Sequence, residues 1–352
     1  MKRLVLTGGG TAGHVTPHLA LIPHLEAEGY ELHYIGTRDG IERSLIPERI
    51  PYYPISAGKL RRYLDWKNFT DPFRVIQGIG HAWKILRKLR PDAIFSKGGF
   101  VTVPVAIAGW MLGIPVILHE SDYTPGLANR ISVRFAKKIC LTFPETMRYV
   151  PQDKAVVTGT PIRAELAQGS KQRGLNLCGF SQSRPTLLVM GGSLGSQMIN
   201  EVVRAALPQL LSKYQVIHLC GRGNLDPTVD KAGYCQIEYA TDELPDLLAA
   251  ADYVVSRAGA NSIYELCSLH KPHILVPLSL QASRGDQILN AQSFARQGFS
   301  LVVAEEDFTV ESLLNSLTLL QSNRESFIQA MQRSELADGT ANVLREIRKI
   351  ID

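Results

Sequence analysis

The feature that most constrains this chain is a strand–glycine turn–helix unit near its N-terminus. It begins with the apolar run Leu4-Val5-Leu6, continues through Gly8-Gly9-Gly10-Thr11-Ala12-Gly13-His14, and enters a helical pattern near Thr16. A buried parallel strand that leads through glycines into a helix presents backbone N–H groups to an anion. His14 lies at the mouth of this turn, where an imidazole can act on a bound hydroxyl. The alternative is a tight turn that carries a structural histidine.

The same unit recurs along the chain. It reappears as Ser96-Lys97-Gly98-Gly99, as Gly191-Gly192-Ser193-Leu194-Gly195, and as the small residues that open a helix at Arg257–Glu265. The carboxyl ends of parallel strands meet at one edge of a sheet, so paired loops of this kind are expected to face one crevice. Glu265 is a candidate for the two hydroxyls of a ribose, the alternative being compensation of the helix dipole.

Apolar runs and helical patterns alternate throughout the sequence. Strands are predicted at 2–7, 32–36, 93–96, 115–119, 139–142, 155–158, 186–190, 216–220, 236–239, 253–256 and 274–278. Helices are predicted near 16–28, 40–48, 72–89, 102–112, 125–136, 309–321, 324–335 and 339–350. This alternation indicates an α/β fold with doubly wound parallel sheets.

At 352 residues the chain suits two domains. Turn chemistry at Thr158–Arg163 marks the boundary, which gives domains at 1–162 and 163–337. The last helix, about 338–352, has an apolar face with which it is expected to pack back onto the first domain. Pro23 lies inside the first helical pattern and is expected to kink that helix.

Composition excludes several classes of protein. With 45% apolar and 20% charged residues, the chain is typical of a folded globule. It has no apolar run of the ~18 residues that a spanning helix needs, and no apolar leader precedes the first strand, so a cytoplasmic location is expected. The five cysteines are scattered and predicted to be reduced core residues.

The end of the second predicted strand disfavours binding of NAD. It reads Tyr34-Ile35-Gly36-Thr37-Arg38, without the carboxylate that a dinucleotide site needs to hold a ribose hydroxyl.

Charge is distributed unevenly between the halves. Residues 1–162 carry 21 Lys and Arg against 13 Asp and Glu, whereas the remaining residues are mildly acidic. Basic and aromatic residues are interleaved over 59–88, a composition that suits the surface of an anionic membrane. The alternative is a solvated helix face with a core stripe. Nucleic acid is disfavoured because no recognised nucleic-acid motif accompanies the patch.

Several motifs occur together in a characteristic order. They are Gly8–His14 with Pro17, Lys97-Gly98-Gly99-Phe100, His119-Glu120, Gly159-x-Pro161-x-Arg163, Gly191-Gly192-Ser193-x-Gly195 and Arg257-x-Gly259-Ala260-x-x-x-x-Glu265. Taken together, over nearly the whole chain, they resemble the MurG transferases of glycosyltransferase family 28. The resemblance implies a GT-B fold, with two Rossmann-like domains facing across a cleft.

The resemblance also implies an activity. These enzymes are inverting hexosyltransferases that move N-acetylglucosamine from UDP-GlcNAc to the 4-hydroxyl of MurNAc in undecaprenyl-diphospho-MurNAc-pentapeptide, converting lipid I to lipid II in peptidoglycan synthesis. The implied location is peripheral, on the cytoplasmic face of the bacterial cell membrane. The implied partners include the anionic inner membrane surface and other cell-wall synthesis proteins, and no cofactor is implied.

The resemblance assigns roles to residues of this sequence. His14 resembles the general base. Donor binding is implied for Thr11, Ala12, Gly13, Arg163, Ser193, Ala260, Glu265 and Gln287. The loops that bind the acceptor and phosphates are implied to contain Gly10, Lys97, Gly98, Gly99 and Glu120. Asp122 stands where the family often has Asn, which puts that donor contact in doubt, and the absence of a D-x-D pair argues against a metal on the diphosphate.

Two further interpretations stay open on the sequence alone. One is an enzyme of the same fold with another substrate: a transferase on a soluble acceptor, or a UDP-sugar epimerase. The other is a nucleotide-sugar-binding regulator without turnover. A surface at 59–88 that binds a membrane is expected of a lipid-dependent enzyme and not of the first alternative. Release of UDP is expected of an enzyme and not of the second alternative, the regulator.

Overall fold

The chain divides into two compact units. A computed structural model describes residues 2–58, 67–192, 195–281, 283, 285–334 and 339–352, with side chains in the third helix from residue 73 onward. The first unit comprises Met1–Arg163 and Asp338–Asp352, and the second comprises Ala164–Ala337. Each unit contains its own parallel sheet.

The first unit is built on a parallel sheet in the order β3-β2-β1-β4-β5-β6-β7. Its strands are β1 (Arg3–Thr7), β2 (Glu31–Thr37), β3 (Tyr52–Ile55), β4 (Ala93–Ser96), β5 (Val116–Glu120), β6 (Lys138–Leu141) and β7 (Ala155–Val157). Its helices are α1 (Thr16–Ala27), α2 (Glu42–Leu45), α3 (Lys67–Leu89), α4 (Thr102–Met111) and α5 (Leu127–Ser132). Almost every residue of the central strands is buried, as expected for a parallel sheet covered on both faces.

The order of this sheet reverses between β1 and β4, which are neighbours although β2 and β3 lie between them in the chain. Their register pairs Thr7 with Ser96, the last residue of each strand. The two glycine turns that follow these residues therefore start side by side. Such a reversal is where open α/β sheets bind ligands.

The last helix of the chain, α13 (Gly339–Ile351), belongs to the first unit and packs against its core. Val343, Leu344 and Ile347 belong to the same buried cluster as residues of β1 and α1. The amide of Asn342 donates to the carbonyl of Thr158 at 3.2 Å. The apolar face of α13 thus completes the core on one side of the first sheet.

The second unit repeats the design with the sheet order β10-β9-β8-β11-β12-β13. Its strands are β8 (Thr186–Met190), β9 (Gln215–Leu219), β10 (Tyr234–Ile237), β11 (Tyr253–Ser256), β12 (His273–Leu275) and β13 (Leu301–Val302). Its helices are α6 (Lys171–Leu177), α7 (Gln197–Leu210), α8 (Leu244–Ala250), α9 (Ala260–Ser268), α10 (Asp286–Arg296), α11 (Val310–Ser322) and α12 (Arg324–Gln332). The order reverses between β8 and β11, again at glycine-bearing turns.

Several local predictions differ from the structure. Strands β3 and β13 were not expected from the sequence, and the helix predicted at 40–48 is a single turn, α2. Pro23 lies inside helix α1, which runs on to Ala27, and the kink expected there stays a prediction. Of the cysteines, Cys140, Cys220 and Cys267 are buried as expected, whereas Cys178 and Cys235 are half-buried.

Candidate functional site

The first glycine turn leaves β1 and forms a short 3₁₀ turn at Ala12–His14 before α1 begins. Gly10 has a φ of +86°, a conformation that glycine adopts without steric cost. Gly10, Thr11 and Gly13 are exposed, whereas Ala12 and His14 are half-buried. The turn therefore presents its backbone and the His14 ring at the carboxyl edge of the sheet.

The imidazole of His14 is held by its own turn. Its Nδ1 lies 3.0 Å from the carbonyl oxygen of Gly9 and 3.1 Å from the hydroxyl oxygen of Thr11. A carbonyl oxygen can only accept, so the bond to Gly9 requires the proton on Nδ1. In that tautomer Nε2 is the basic nitrogen, which is the arrangement that a general base needs.

Glu42, which the sequence analysis did not single out, supports this turn from below. Its side chain is fully buried and accepts hydrogen bonds from the backbone N–H of Gly10 at 3.1 Å and from the N–H and hydroxyl of Thr37 at 2.9 and 2.6 Å. A Cβ at Gly9 would lie 2.5 Å from the Glu42 carboxyl carbon. The carboxylate thus ties the first glycine turn to the end of β2.

The second glycine turn lies against the first. Gly98 and Gly99 have φ values of +96° and +84°. A Cβ at Gly99 would collide with the backbone of Gly9, and a Cβ at Gly98 would lie 3.5 Å from Cδ2 of His14. Gly98 and Gly99 are therefore brought to the His14 ring, as the pairing of β1 with β4 requires.

Lys97 points away from this surface. Its side chain is buried, and Nζ lies 2.6 Å from Nδ1 of His119, 2.6 Å from the Ser121 hydroxyl and 3.4 Å from the Thr160 hydroxyl. Burial lowers the pKa of Lys97 to about 7. The ammonium bonds protein atoms here, so the structure does not place it as a direct ligand of a phosphate.

Glu120 is also buried, and it organises the turn that follows β5. Its carboxylate accepts from the backbone N–H of Asp122 at 3.0 Å, from the N–H of Gly126 at 2.9 Å and from the amide of Asn129 at 2.9 Å. Burial raises the pKa of Glu120 to about 7, and the carboxylate of Asp122 adds to this rise. Glu120 thus acts on the loop around Asp122 through its backbone.

In the second unit, the third glycine turn leads into α7, whose first turn is capped by the Ser196 hydroxyl. The buried Arg257 joins this cap to neighbouring strands, because its Nη2 donates to Ser196 at 2.7 Å and to Glu305 at 2.5 Å while Nη1 donates to the carbonyl of Val276 at 3.2 Å. Arg257 therefore fixes the starts of the loops after β8, β11 and β12 relative to one another.

Helix α9 begins at Ala260 directly after β11. The side-chain oxygen of Gln287 accepts from the N–H of Ala258 at 3.3 Å and from the N–H of Leu278 at 3.1 Å, so Gln287 lies beside the start of this helix. Glu265 is the sixth residue of α9 and half-buried. Dipole compensation acts within the first turn, so the position of Glu265 disfavours that explanation.

The structure thus groups the residues singled out in the sequence into two sets. Within the first unit it brings together Gly10, Thr11, Ala12, Gly13, His14, Gly98 and Gly99. Within the second unit, Ala260, Glu265 and Gln287 belong to α9 and its neighbour α10. Arg163 is the last residue before the second unit begins, and Ser193 lies outside the described residues.

Comparison with known proteins agrees with this architecture. Residues 4–141 match the glycosyltransferase family 28 N-terminal domain, and residues 186–346 match the glycosyltransferase family 28 C-terminal domain. The solved structure of MurG from Acinetobacter baumannii superposes with a TM-score of 0.78 at 26% identity, covering 99% of this chain and 100% of that one. A UDP-GlcNAc 2-epimerase from Neisseria meningitidis shares the fold, with a TM-score of 0.69 at 13% identity over 99% of this chain and 100% of its own.

Curated relatives are more similar still. A UDP-N-acetylglucosamine–N-acetylmuramyl-(pentapeptide) pyrophosphoryl-undecaprenol N-acetylglucosamine transferase from Clostridium botulinum is 54% identical over 99% of both chains. A second transferase of that name, from Bacillus cereus, is 53% identical, again over 99% of both chains. With both domain types in order and this identity over its length, the chain belongs to glycosyltransferase family 28, among the MurG transferases.

Proposed function

We propose that this protein is the hexosyltransferase that moves N-acetylglucosamine from UDP-GlcNAc to the 4-hydroxyl of MurNAc in undecaprenyl-diphospho-MurNAc-pentapeptide. The observation that carries the proposal is 54% identity, over 99% of the chain, to a transferase named for this reaction. The paired glycine turns and the anchored His14 supply the chemistry that such a transfer needs.

His14 is proposed as the general base. Transfer with inversion is a single displacement, in which the acceptor hydroxyl attacks the anomeric carbon and UDP departs. With Nδ1 hydrogen-bonded to Gly9, Nε2 takes the proton of the 4-hydroxyl as the new glycosidic bond forms. The anchoring bond also fixes the ring plane, which removes an orientational cost from the reaction.

The second unit is proposed to hold the donor. The N-terminus of α9, which begins at Ala260, offers backbone N–H groups to the departing diphosphate. Glu265, one and a half turns into α9, is proposed to accept hydrogen bonds from the ribose hydroxyls. Gln287 is proposed to contact the donor sugar, and Arg163 and Ser193 to contact the UDP portion, with Thr11, Ala12 and Gly13 touching phosphates.

The protein is proposed to lie peripherally on the cytoplasmic face of the cell membrane, and the surface of α3 and α4 supports contact with a membrane. Phe73, Ile76 and Trp110 are 73%, 65% and 59% exposed. On α3 the guanidinium of Arg87 lies 4.9 Å from the Trp83 ring centroid. Apolar and basic side chains together favour an anionic lipid surface. Across the residues that the structure describes, no helix is long and apolar enough to span a bilayer; residues 59–66 of the basic–aromatic stretch lie outside them.

A UDP-sugar epimerase remains the alternative of the same fold. The epimerase from Neisseria meningitidis is 13% identical, which supports a shared fold and no more. The two reactions are distinguished by their products. Transfer releases UDP and extends an acceptor, whereas epimerisation changes the sugar and extends no acceptor. The relatives at 53–54% identity favour transfer.

The proposal is tested by incubating the purified protein with UDP-GlcNAc and lipid I in detergent micelles. We expect UDP release that depends on lipid I, together with a disaccharide product in β-1,4 linkage. Epimerised sugar nucleotide without acceptor dependence would indicate an epimerase. Binding of UDP-GlcNAc without any product would indicate a regulator, and transfer to a soluble muramoyl acceptor in preference to lipid I would remove the membrane from the proposal.

A further inference from the structure

A cleft of about 640 Å³ opens beside the first glycine turn, within the first unit. Gly9 and Gly10 form one wall, the segment Thr37–Ile41 forms a second, and α3 contributes Arg74 and His81. His14, Lys97 and Glu120 do not line this space, whereas Gly10, which the resemblance places in an acceptor loop, does. Its volume is within the range of cavities that enclose small-molecule ligands.

The lining of the cleft selects for anions. Arg38 and Arg74 are exposed within it, and among the described residues neither guanidinium has an ion-pair partner. The carboxylate of Asp39 is the acidic group of the lining. Two guanidiniums against one carboxylate leave an excess of positive charge. Guanidinium groups bind carboxylates through two parallel hydrogen bonds.

The cleft also has features that a bare phosphate site does not require. Ile55, Ile41 and Phe100 contribute apolar surface, and the Ser56 hydroxyl donates to Gln77 at 3.0 Å. A lining that combines apolar side chains, hydrogen-bonding groups and guanidinium groups suits a short peptide that carries a carboxylate. The volume exceeds what one diphosphate would fill, whereas a peptide of several residues would use it.

Covalent geometry links this cleft to the reacting centre. In a muramoyl acceptor, the lactyl-peptide branch leaves C3, the carbon next to the one that bears the reacting 4-hydroxyl, whereas the diphosphate leaves C1 across the ring. Gly9, whose carbonyl holds the His14 ring, is itself part of the cleft wall. Because C3 adjoins C4, a 4-hydroxyl at His14 puts the start of the C3 branch beside the turn whose Gly9 also lines the cleft.

We propose that this cleft binds the stem peptide of the acceptor, with Arg38 and Arg74 pairing with a peptide carboxylate. This proposal rests on the proposed function, because it takes its ligand from the same acceptor. It makes the two arginines specificity residues that recognise the peptide, while His14 acts on the sugar.

The experiment compares two acceptors that share a short prenyl chain and the diphospho-MurNAc group. One carries the pentapeptide, and in the other the lactyl carboxyl is capped as a methylamide, so that no peptide carboxylate is present. KM and kcat are measured by UDP release for the wild type, R38A, R74A and the double variant. R324A is the matched control, since Arg324 is a surface residue of the second unit that pairs with the adjacent Glu325.

We expect each single variant to raise KM for the pentapeptide acceptor by about 10- to 100-fold, the effect of losing a charge-assisted hydrogen bond. KM for the capped acceptor and for UDP-GlcNAc should stay at the wild-type value, and R324A should match the wild type throughout. Equal increases for both acceptors would assign the arginines to the diphosphate or sugar and overturn the proposal. An unchanged KM for the pentapeptide acceptor would also overturn it.

Anisotropy of a fluorescent pentapeptide acceptor, measured without donor, separates this proposal from the proposed function. If the wild type binds this acceptor but releases no UDP, and the double variant does not bind it, the result would contradict the transfer reaction and support the peptide cleft. Normal UDP release with unaltered acceptor binding in the double variant would support the transfer reaction and contradict the cleft. Turnover of the capped acceptor at the wild-type kcat and KM verifies that the first unit of each variant is folded.

Discussion

The Nδ1 atom of His14 lies 3.0 Å from the carbonyl oxygen of Gly9, so the backbone of the glycine turn sets the tautomer of the imidazole. Gly9 is fixed in turn by close packing on Glu42 beneath it and on Gly99 beside it. The orientation of the His14 ring, the proposed base, therefore depends on residues that need not touch a substrate. Variants of the base and of its supports should have separable effects.

Replacing His14 with alanine removes the proposed base, and it should leave the second unit unchanged because His14 belongs to the first unit. General-base catalysis contributes typically ~10²–10⁴-fold, so H14A should lower kcat by about that factor. The Kd for UDP, measured by calorimetry, should stay within about twofold of the wild-type value. His24, an exposed histidine of α1, provides the control, and H24A should retain wild-type kcat. A wild-type kcat in H14A would remove this residue from the mechanism.

Replacing Glu42 should damage both stability and turnover. In E42A the N–H of Gly10 and the N–H and hydroxyl of Thr37 lose their acceptor. A fully buried group left unsatisfied costs about 1–3 kcal/mol, and these three partly buried donors together should cost about that much. In E42Q one oxygen remains to accept, so the loss of stability should be smaller while kcat still falls. Thermal unfolding and UDP release measure the two effects.

The neighbouring Glu48 is exposed, and E48A is the matched control for the Glu42 variants. We expect E48A to unfold and turn over as the wild type does. If E42Q keeps the wild-type kcat while its unfolding temperature falls, Glu42 contributes to stability alone and does not position the glycine turn for catalysis.

Alanine at Gly99 should be far more damaging than alanine at Gly113, although both glycines have positive φ, +84° and +71°. A Cβ at Gly113 meets nothing within 4 Å, whereas one at Gly99 meets the backbone of Gly9. G113A should therefore cost about 1–2 kcal/mol of backbone strain. G99A should cost about 1–3 kcal/mol more and lower kcat as well. Equal losses of stability in the two variants would contradict the close approach of the two turns.

The shifted pKa values of the buried Lys97 and Glu120 predict that stability changes with pH in two windows, with opposite slopes. The pKa of Glu120 is raised to about 7 in the folded protein, from about 4.5 in the unfolded chain. Between pH 4.5 and pH 7 the Glu120 carboxyl is therefore protonated only in the folded protein, and stability falls as pH rises. Lys97 has its pKa lowered to about 7 from 10.5, so above pH 7 the unfolded chain binds the extra proton, and stability rises with pH.

Unfolding temperatures measured from pH 5 to 10 test these slopes. E120Q should remove the fall on the acid side and leave the alkaline rise, whereas K97M should remove the rise above pH 7. Each slope is at most about 1.4 kcal/mol per pH unit. Parallel pH profiles for the wild type and both variants would show that neither group titrates in these windows.

The sequence predicts the central strands and their glycine turns because both signals are local. Leu4-Val5-Leu6 and Ala93–Ser96 are apolar runs that end at glycines, and the structure pairs them as β1 and β4. Strand β3 was missed because Tyr52–Ile55 contains a proline and is only partly buried. As the first strand in its sheet order, β3 lies at an edge, where proline is tolerated.

The supports of the site could not be predicted in the same way. Glu42 acquires its role from the pairing of β1 with β2, which brings Gly10 and Thr37 to one carboxylate across 32 and 5 residues of chain. Lys97 follows a strand like a phosphate ligand, yet its ammonium turns inward to His119. Both outcomes depend on which strands are neighbours, and single-residue patterns do not contain that information.

Chelation of divalent metals should leave turnover intact. The sequence has no D-x-D pair to hold a metal on the diphosphate. Backbone N–H groups at the start of α9 can stabilise the developing charge on UDP in its place. The test compares UDP release with and without EDTA, with UDP separated by chromatography so that no magnesium-dependent coupling enzyme takes part. Activity that is lost in EDTA and restored by added Mg²⁺ would show that a metal, and not the protein backbone alone, neutralises the leaving group.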